Sequence, residues 1–303
     1  MKKGNKKTLP KIIVVVGPTA SGKSDLAVEI AKRVKGEIIS ADSRQIYKYL
    51  DIGSGKITKV EMKRVPHYCL DIFEPGKTKT VTDYLKFANK AIKEILAKNK
   101  TPIICGGTGF YIDSIIYGIP KNAKPNPLLR KELENETLEN LLKQIKKLNK
   151  DKWIELTKNE NPSERNNKRR LIRIIEILES KKSENEIIEI SELNKIPKYE
   201  IEFVVTNKSK EELRERINLR LKRRLEAKGK NSLVNEIKFL RNKLKVSDEW
   251  LLSLGLEYKY VTMYLREELS YDEMVENLQN KIWQFAKRQI LWNKRYKNVI
   301  MSK

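Results

Sequence analysis

Residues 17–24 read GPTASGKS. Gly17, Gly22, Lys23 and Ser24 keep the spacing G-x-x-x-x-G-K-[ST], the pattern of a phosphate-binding loop. In such a loop, here Gly17, Pro18, Thr19, Ala20, Ser21 and Gly22, the backbone N–H groups of the residues other than proline face phosphate oxygens together with a helix N-terminus. Lys23 adds a positive charge, and the Ser24 hydroxyl is placed to ligate Mg2+. A β-branched run, KIIVVV, precedes the loop; SDLAVEIAKRV, with Leu26, Ile30 and Val34 at helical spacing, follows it. Strand, loop and helix agree, which argues against a chance match.

The loop alone does not say which phosphate it holds. ATP or GTP hydrolysis needs a metal-holding acid and a residue that orients water. Asp42, after the strand-like run GEIISAD, could be that acid. Yet Ser43, Arg44 and Gln45 follow it, unlike the paired acids of a motor ATPase, while a small-molecule kinase stays open. A second glycine-rich stretch, ICGGTGFY at 104–111, offers the Thr108 hydroxyl just after a strand. By itself it reads as a tight strand-to-helix turn; beside Asp42 and Lys23 it reads as part of a pocket. In PHYCLDIFEPG, the lone His67 reads as structural and Asp71 has no clear role.

Two stretches are basic. RNNKRRLIR at 165–173 has five Lys or Arg, and residues 281–303 have seven with no Asp or Glu. In the second, Trp283, Phe285, Trp292 and Tyr296 interleave with Lys287, Arg288, Lys294 and Arg295. A solvated helix face is the ordinary reading of a charge run. The missing acids and the aromatic residues favour phosphate contact and base stacking instead. The chain as a whole carries 64 Lys and Arg against 40 Asp and Glu, a net charge of +24. A lysine-rich genome accounts for many of these lysines, but the imbalance suits a nucleic acid, ahead of an anionic membrane surface.

The elements that must place these groups follow from periodicity. Residues 11–120 alternate strands with helices, the order of a parallel α/β sheet; Tyr84, Phe87, Ala91 and Ile95 would mark one side of a helix over 82–98. Asp42, the phosphate loop and Gly106–Gly109 would share the carboxyl edge of that sheet, where ligands bind in such folds. After the polar linker KNAKPNP, residues 121–200 read as a helical insertion. Leu138, Leu141, Leu142, Ile145 and Leu148 trace one amphipathic helix, and Leu171, Ile174, Ile175 and Leu178 another. IEFVVT at 201–206 would return to the sheet, and Ser209 with Glu212 would cap a long helix ending near Gly229; the rest reads as helical. The expected organisation is therefore a P-loop NTPase-like α/β core over 1–120 and 201–303, with an insertion over 121–200. Two cysteines make no disulfide framework, and one histidine leaves little for His-based metal sites or Ser–His triads. The apolar run Ile12–Val16 is too short for a signal peptide, and no run approaches the roughly 20 residues of a membrane span. A cytoplasmic protein without a membrane partner is expected.

The stretches GPTASGKS, ISADSRQIYKYLDIGSGK, PHYCLDIFEPG, ICGGTGFYI, RERINLRLKRRLEAKG and AKRQILW resemble, in this order, those of the tRNA dimethylallyltransferases. The resemblance covers nearly the whole chain and is weakest over 121–200. It implies transfer of a dimethylallyl group from dimethylallyl diphosphate to N6 of an adenine beside the tRNA anticodon, with Mg2+ and by a monomer. The loop would then hold an isoprenoid diphosphate. The resemblance implies that Asp42 accepts the N6 proton, with Lys23 and Thr108 as further catalytic groups and Arg216 and Arg220 near the diphosphate. It implies tRNA contacts from Asp42, Ser43, Arg44, Gln45 and Thr108, from Arg130, from Asn166, Asn167, Lys168, Arg169 and Arg170, from Lys259, and from Lys287, Arg288 and Gln289. The chain departs from the family's D-I-G-T-A-K-P with DIGSGKI. Two other readings are an enzyme that prenylates free adenine nucleotides, which would need neither basic stretch, and an ATP-dependent kinase or RNA-binding NTPase, which would release phosphate and use no isoprenoid.

Overall fold

The computed structural model describes residues 9–119, 126–158, 165–182, 197–296 and 299–302. Residues 121–125 of the expected linker, the N-terminal basic stretch 1–8, Lys297 and Lys303 lie outside the described residues. In chain order the elements are β1 (Lys11–Val16), α1 (Lys23–Val34), β2 (Glu37–Ser40), β3 (His67–Tyr68), α2 (Val81–Ala97), β4 (Pro102–Cys105) and α3 (Gly109–Tyr117). Next come α4 (Pro127–Leu133), α5 (Leu138–Leu148), α6 (Lys150–Lys158) and α7 (Lys168–Lys182). The chain continues through β5 (Glu200–Thr206), α8 (Lys210–Glu226), α9 (Leu233–Asn242), α10 (Asp248–Leu254), α11 (Leu256–Leu265), α12 (Tyr271–Asn293) and β6 (Val299–Ser302). Two compact units emerge, residues 1–118 with 195–303, and residues 119–194.

The first unit is built on a sheet of order β3-β2-β4-β1-β5-β6, with every pair parallel. Ile12 to Val16 are all buried, as a central parallel strand with both faces covered requires. Alternation sorts them: Ile12, Val14 and Val16 join the larger core, while Ile13 and Val15 pack with Ala27, Val28 and Ala31 of α1. Of the expected stripe of α1, Leu26 and Ile30 pack, partly buried, against this core, whereas Val34 is 39% exposed at the last residue of the helix. On α2, a capping box between Thr80 and Asp83 starts the helix, and Tyr84, Leu85, Ala88, Ala91, Ile92 and Ile95 are buried. Phe87 lies off that stripe and meets Phe73 edge-on at 5.2 Å. β2 stops at Ser40, so Asp42 stands in the turn beyond it. The C-terminal region is not all helical, since β6 adds a strand beside β5.

In the second unit Leu133, Leu141, Ile145, Leu156, Leu171, Ile172, Ile175 and Leu178 form a core of their own. Leu138 is 37% exposed; it begins α5 immediately after the Thr137 N-cap. No helix among the described residues is long and apolar enough to cross a membrane.

Candidate active site

Beyond the ends of β1, β2 and β4, three segments of the chain line a cavity of about 610 Å³. The first is the phosphate loop. A Cβ at Gly17 would fall 1.8 Å from Thr206 Oγ1, so only glycine lets β5 come this close. Ser21 and Thr206 share a buried hydroxyl–hydroxyl hydrogen bond that closes the loop on that strand. Gly22 takes φ +89° at the start of α1. Lys23 donates to the Pro18 carbonyl at 2.7 Å, curling over its own loop. Burial pushes its ammonium down to about 8, with the Arg220 charge acting in the same direction and Asp42 opposing it. Of the eight loop residues, Thr19, Lys23 and Ser24 line the cavity; Gly17, Pro18, Ala20, Ser21 and Gly22 shape the backbone.

The second segment carries Asp42. Its Oδ1 accepts the N–H of Arg44 at 2.8 Å and that of Gln45 at 3.4 Å, which fixes the carboxylate in the turn. Thr108 Oγ1 accepts the Ser43 N–H at 3.1 Å, and Thr108 N–H donates to the Ala41 carbonyl at 3.2 Å. Gly106 permits this: a Cβ there would lie 2.2 Å from the Ala41 oxygen. Asp42, Ser43 and Thr108 thus meet on one wall. Arg44 and Gln45 line the cavity too, but their polar ends are engaged within the protein. Arg44 donates to the Leu254 carbonyl; Gln45 accepts from Ser40 Oγ at 2.9 Å and donates to the Gly55 carbonyl at 3.3 Å.

The third segment, residues 51–56, is the stretch DIGSGK. Glu236 holds its backbone: Oε2 accepts the N–H groups of Asp51 and Ile52, and Oε1 those of Gly53 and the Tyr258 hydroxyl. Burial raises the Glu236 carboxyl above its usual range against these donors. Lys56 bridges Asp51 and Asp71, which gives Asp71 a structural role. Arg224 reaches the Gly53 carbonyl and Glu257. The backbone at Gly55 lies so close to Arg220 that a Cβ would meet its guanidinium at 1.7 Å. Arg220 therefore rests on this segment and faces the cavity; burial lowers it to about 10, with Arg224 adding to the effect. No sequence signal marked Glu236 or Tyr258, because their partners lie about 180–200 residues away.

Helix α12 forms the remaining wall with Phe285, Arg288, Gln289 and Trp292. The expectation that its aromatic residues are free for stacking holds unevenly. Tyr296 is buried, stacked on Phe203 at 4.3 Å and donating to Asp113 at 2.9 Å, so it anchors the chain. Gln289 is also buried and bonded to backbone at both ends of its amide.

Two expected positions fall elsewhere. Arg216, one turn before Arg220, is exposed and pairs with Glu212 at 3.5 Å, away from the cavity wall. Arg130 forms a two-point bridge to buried Glu176, at 2.7 and 2.8 Å, so its guanidinium holds α4 to α7. Asn167 caps α7 by accepting the Arg170 N–H at 3.2 Å. Asn166, Arg169 and Arg170 are exposed and Lys168 is half-buried at the start of that helix. Lys287 is exposed on α12, and Lys259 lies on α11 with its ammonium over Tyr260. His67 bonds the Val65 carbonyl through Nδ1 and, half-buried, lines the cavity; burial lowers its basicity.

Among the described residues no cluster of three His, Cys, Asp or Glu is assembled for a metal. The cavity offers the Ser24 hydroxyl beside Lys23 and the Asp42 carboxylate. This donor set fits Mg2+, which takes one or two protein ligands and completes its shell with phosphate oxygens and water. Two half-buried cations, a fixed carboxylate with a hydroxyl beside it, and aromatic lining residues make a site for an anionic, partly apolar molecule next to a weakly acidic N–H or O–H group.

This chain is similar to known proteins over nearly its whole length. The family model described as IPP transferase matches residues 45–296. A tRNA dimethylallyltransferase of Clostridioides difficile is 37% identical over 287 residues, covering 94% of this chain and 89% of that protein. One from Acetivibrio thermocellus is 38% identical over 299 residues, covering 96% and 91%. The crystal structure of a tRNA delta(2)-isopentenylpyrophosphate transferase from Staphylococcus epidermidis superposes with a TM-score of 0.65 at 33% identity, covering 97% of this chain and 92% of that one.

Proposed function

This chain belongs to the IPP transferase family, and from that premise we propose how its site works. The protein is a transferase that moves a dimethylallyl group onto an adenine of tRNA. We infer that the donor is dimethylallyl diphosphate and that the acceptor is N6 of the adenine beside the anticodon. The observation that carries this reading is that Lys23, Arg220 and the backbone-held Asp42 carboxylate line one cavity.

The chemistry follows from charge. As the C–O bond of the donor breaks, the leaving diphosphate gathers negative charge. Lys23, Arg220 and the loop amides stabilise that charge. Mg2+ held by Ser24 would supply further charge neutralisation on the diphosphate oxygens. Adenine N6 is a weak nucleophile. Asp42 takes its proton through Oδ2, which has no hydrogen bond among the described residues, while Oδ1 is held by backbone N–H groups. Thr108 keeps that turn in place through Ser43. The base must leave its stack to enter the cavity, whose lining includes the aromatic Phe285 and Trp292. The exposed basic residues at the start of α7 and on α12 suit the RNA backbone.

Incubation with labelled dimethylallyl diphosphate, Mg2+ and bulk tRNA tests the reading. Label in the RNA is expected. Label in free adenine nucleotides alone, or phosphate release from ATP with no use of the isoprenoid, would replace it with one of the two other readings.

A further inference from the structure

We propose that Gln289 is a positioning residue of the donor site: it holds the phosphate loop to the glycine turn after β4 and makes no contact with RNA. Strands β1 and β4 are paired neighbours, but beyond the sheet edge their chains diverge into different loops. Past the backbone bond from the Gly106 N–H to the Val15 carbonyl, a side chain from α12 joins the two loops. Gln289 Oε1 accepts the Thr19 N–H at 2.7 Å, and Gln289 Nε2 donates to the Gly107 carbonyl at 2.9 Å. Gly107 must be glycine for this, since a Cβ would sit 2.3 Å from Nε2.

The chemistry of the pair selects the residue. A neutral amide presents one acceptor and one donor at a fixed separation; a carboxylate lacks the donor, and an ammonium lacks the acceptor. Gln289 is 6% exposed, so both backbone groups depend on it. Its neighbours Lys287 and Arg288 are exposed, as residues that meet RNA need to be. The proposal rests on the transferase reading only for the identity of the ligand; the bridge itself concerns whatever diphosphate the loop holds.

Two variants test it, with inorganic pyrophosphate as the binding probe so that the result does not depend on prenyl transfer. In Gln289→Glu the carboxylate still accepts from Thr19 but repels the Gly107 oxygen. Pyrophosphate affinity and the KM for dimethylallyl diphosphate should worsen by roughly tenfold at pH 8, while tRNA affinity and its salt dependence stay at wild-type values. Burial raises a carboxyl, and the protonated acid again offers one donor and one acceptor. Pyrophosphate binding by Gln289→Glu should therefore recover toward wild type as pH falls to about 6, with wild type measured in parallel because Lys23 titrates near 8. Gln289→Ala should show the same loss at every pH. Lys287→Ala should do the reverse, weakening tRNA and sparing pyrophosphate. Weaker tRNA binding with unchanged pyrophosphate binding in either Gln289 variant would overturn the proposal, as would a loss in Gln289→Glu that acid does not relieve. If pyrophosphate behaves as expected but no isoprenoid is used, the bridge stands and the transferase reading falls.

Discussion

Thr108 Oγ1 accepts the backbone N–H of Ser43 at 3.1 Å, and this bond, beside that of the Thr108 N–H to the Ala41 carbonyl, joins the turn after β4 to the turn that holds Asp42. Thr108→Val keeps the shape and removes the acceptor, leaving a partly buried N–H unsatisfied. Such a group costs about 1–3 kcal/mol. Part of that cost should appear as a displaced carboxylate: single-turnover transfer should drop roughly tenfold, with donor affinity close to wild type. Thr108→Ser should restore the rate, and a slow serine variant would contradict the role.

Lys23→Ala should impair donor binding and turnover while tRNA affinity changes little, because the RNA surfaces lie elsewhere; equilibrium binding of both ligands decides. The pH dependence has a definite sign. In the free protein Lys23 loses its proton near 8. A bound diphosphate holds the proton on, so the complex binds more protons than the free site above about pH 8, and donor affinity must fall as pH rises through that range. Calorimetry in buffers of different ionisation enthalpy should detect proton uptake on binding there. Binding without proton uptake at about pH 9 would show that Lys23 does not meet the diphosphate.

Much of the site was legible because its chemistry is local. The phosphate loop, Asp42 after β2 and Thr108 after β4 each sit in a contiguous motif, and the strand–helix order alone brings them to one sheet edge. What supports them was not legible. Glu236 holds residues 51–53 from far along the chain, and Gln289 bonds Thr19 across 270 positions. Periodicity found Leu26 and Ile30 of α1 but not the small residues that pack deepest. It weighs large side chains, whereas close helix–sheet packing there selects Ala27 and Ala31. Arg130 matched a tRNA-contact position by its surroundings in the chain, but spacing cannot show that Glu176 occupies it.

Arg130→Ala should act on stability. Glu176 has a fully buried side chain and keeps the Arg173 guanidinium and the Asn126 N–H. The loss is therefore less than the ~3–5 kcal/mol of a buried pair broken outright, about 1–2 kcal/mol given that Arg130 is partly exposed. Denaturant unfolding should report it, and the salt dependence of tRNA binding should not move. A flatter salt dependence with unchanged stability would restore Arg130 as an RNA-binding residue.

If Arg169, Arg170, Lys287 and Arg288 meet phosphates, tRNA binding weakens as salt rises. Neutralising each such side chain should flatten the slope of log K against log salt by roughly 0.7–0.9. Slopes equal to wild type would make these side chains an ordinary solvated face.

The most direct test concerns Asp42. A carboxylate beside a phosphate loop either takes a proton or holds the metal, and Asp42→Asn separates the two. The amide keeps the size and can still accept the Arg44 N–H, but it cannot take the N6 proton. Single-turnover transfer of the dimethylallyl group to tRNA, measured across a Mg2+ titration, should fall by the roughly 10²–10⁴-fold of a lost general base. Donor and Mg2+ binding should be nearly preserved, and added Mg2+ should not recover the rate. A joint loss of Mg2+ and donor affinity, with the rate rescued by added metal, would contradict the assignment of Asp42 as the base.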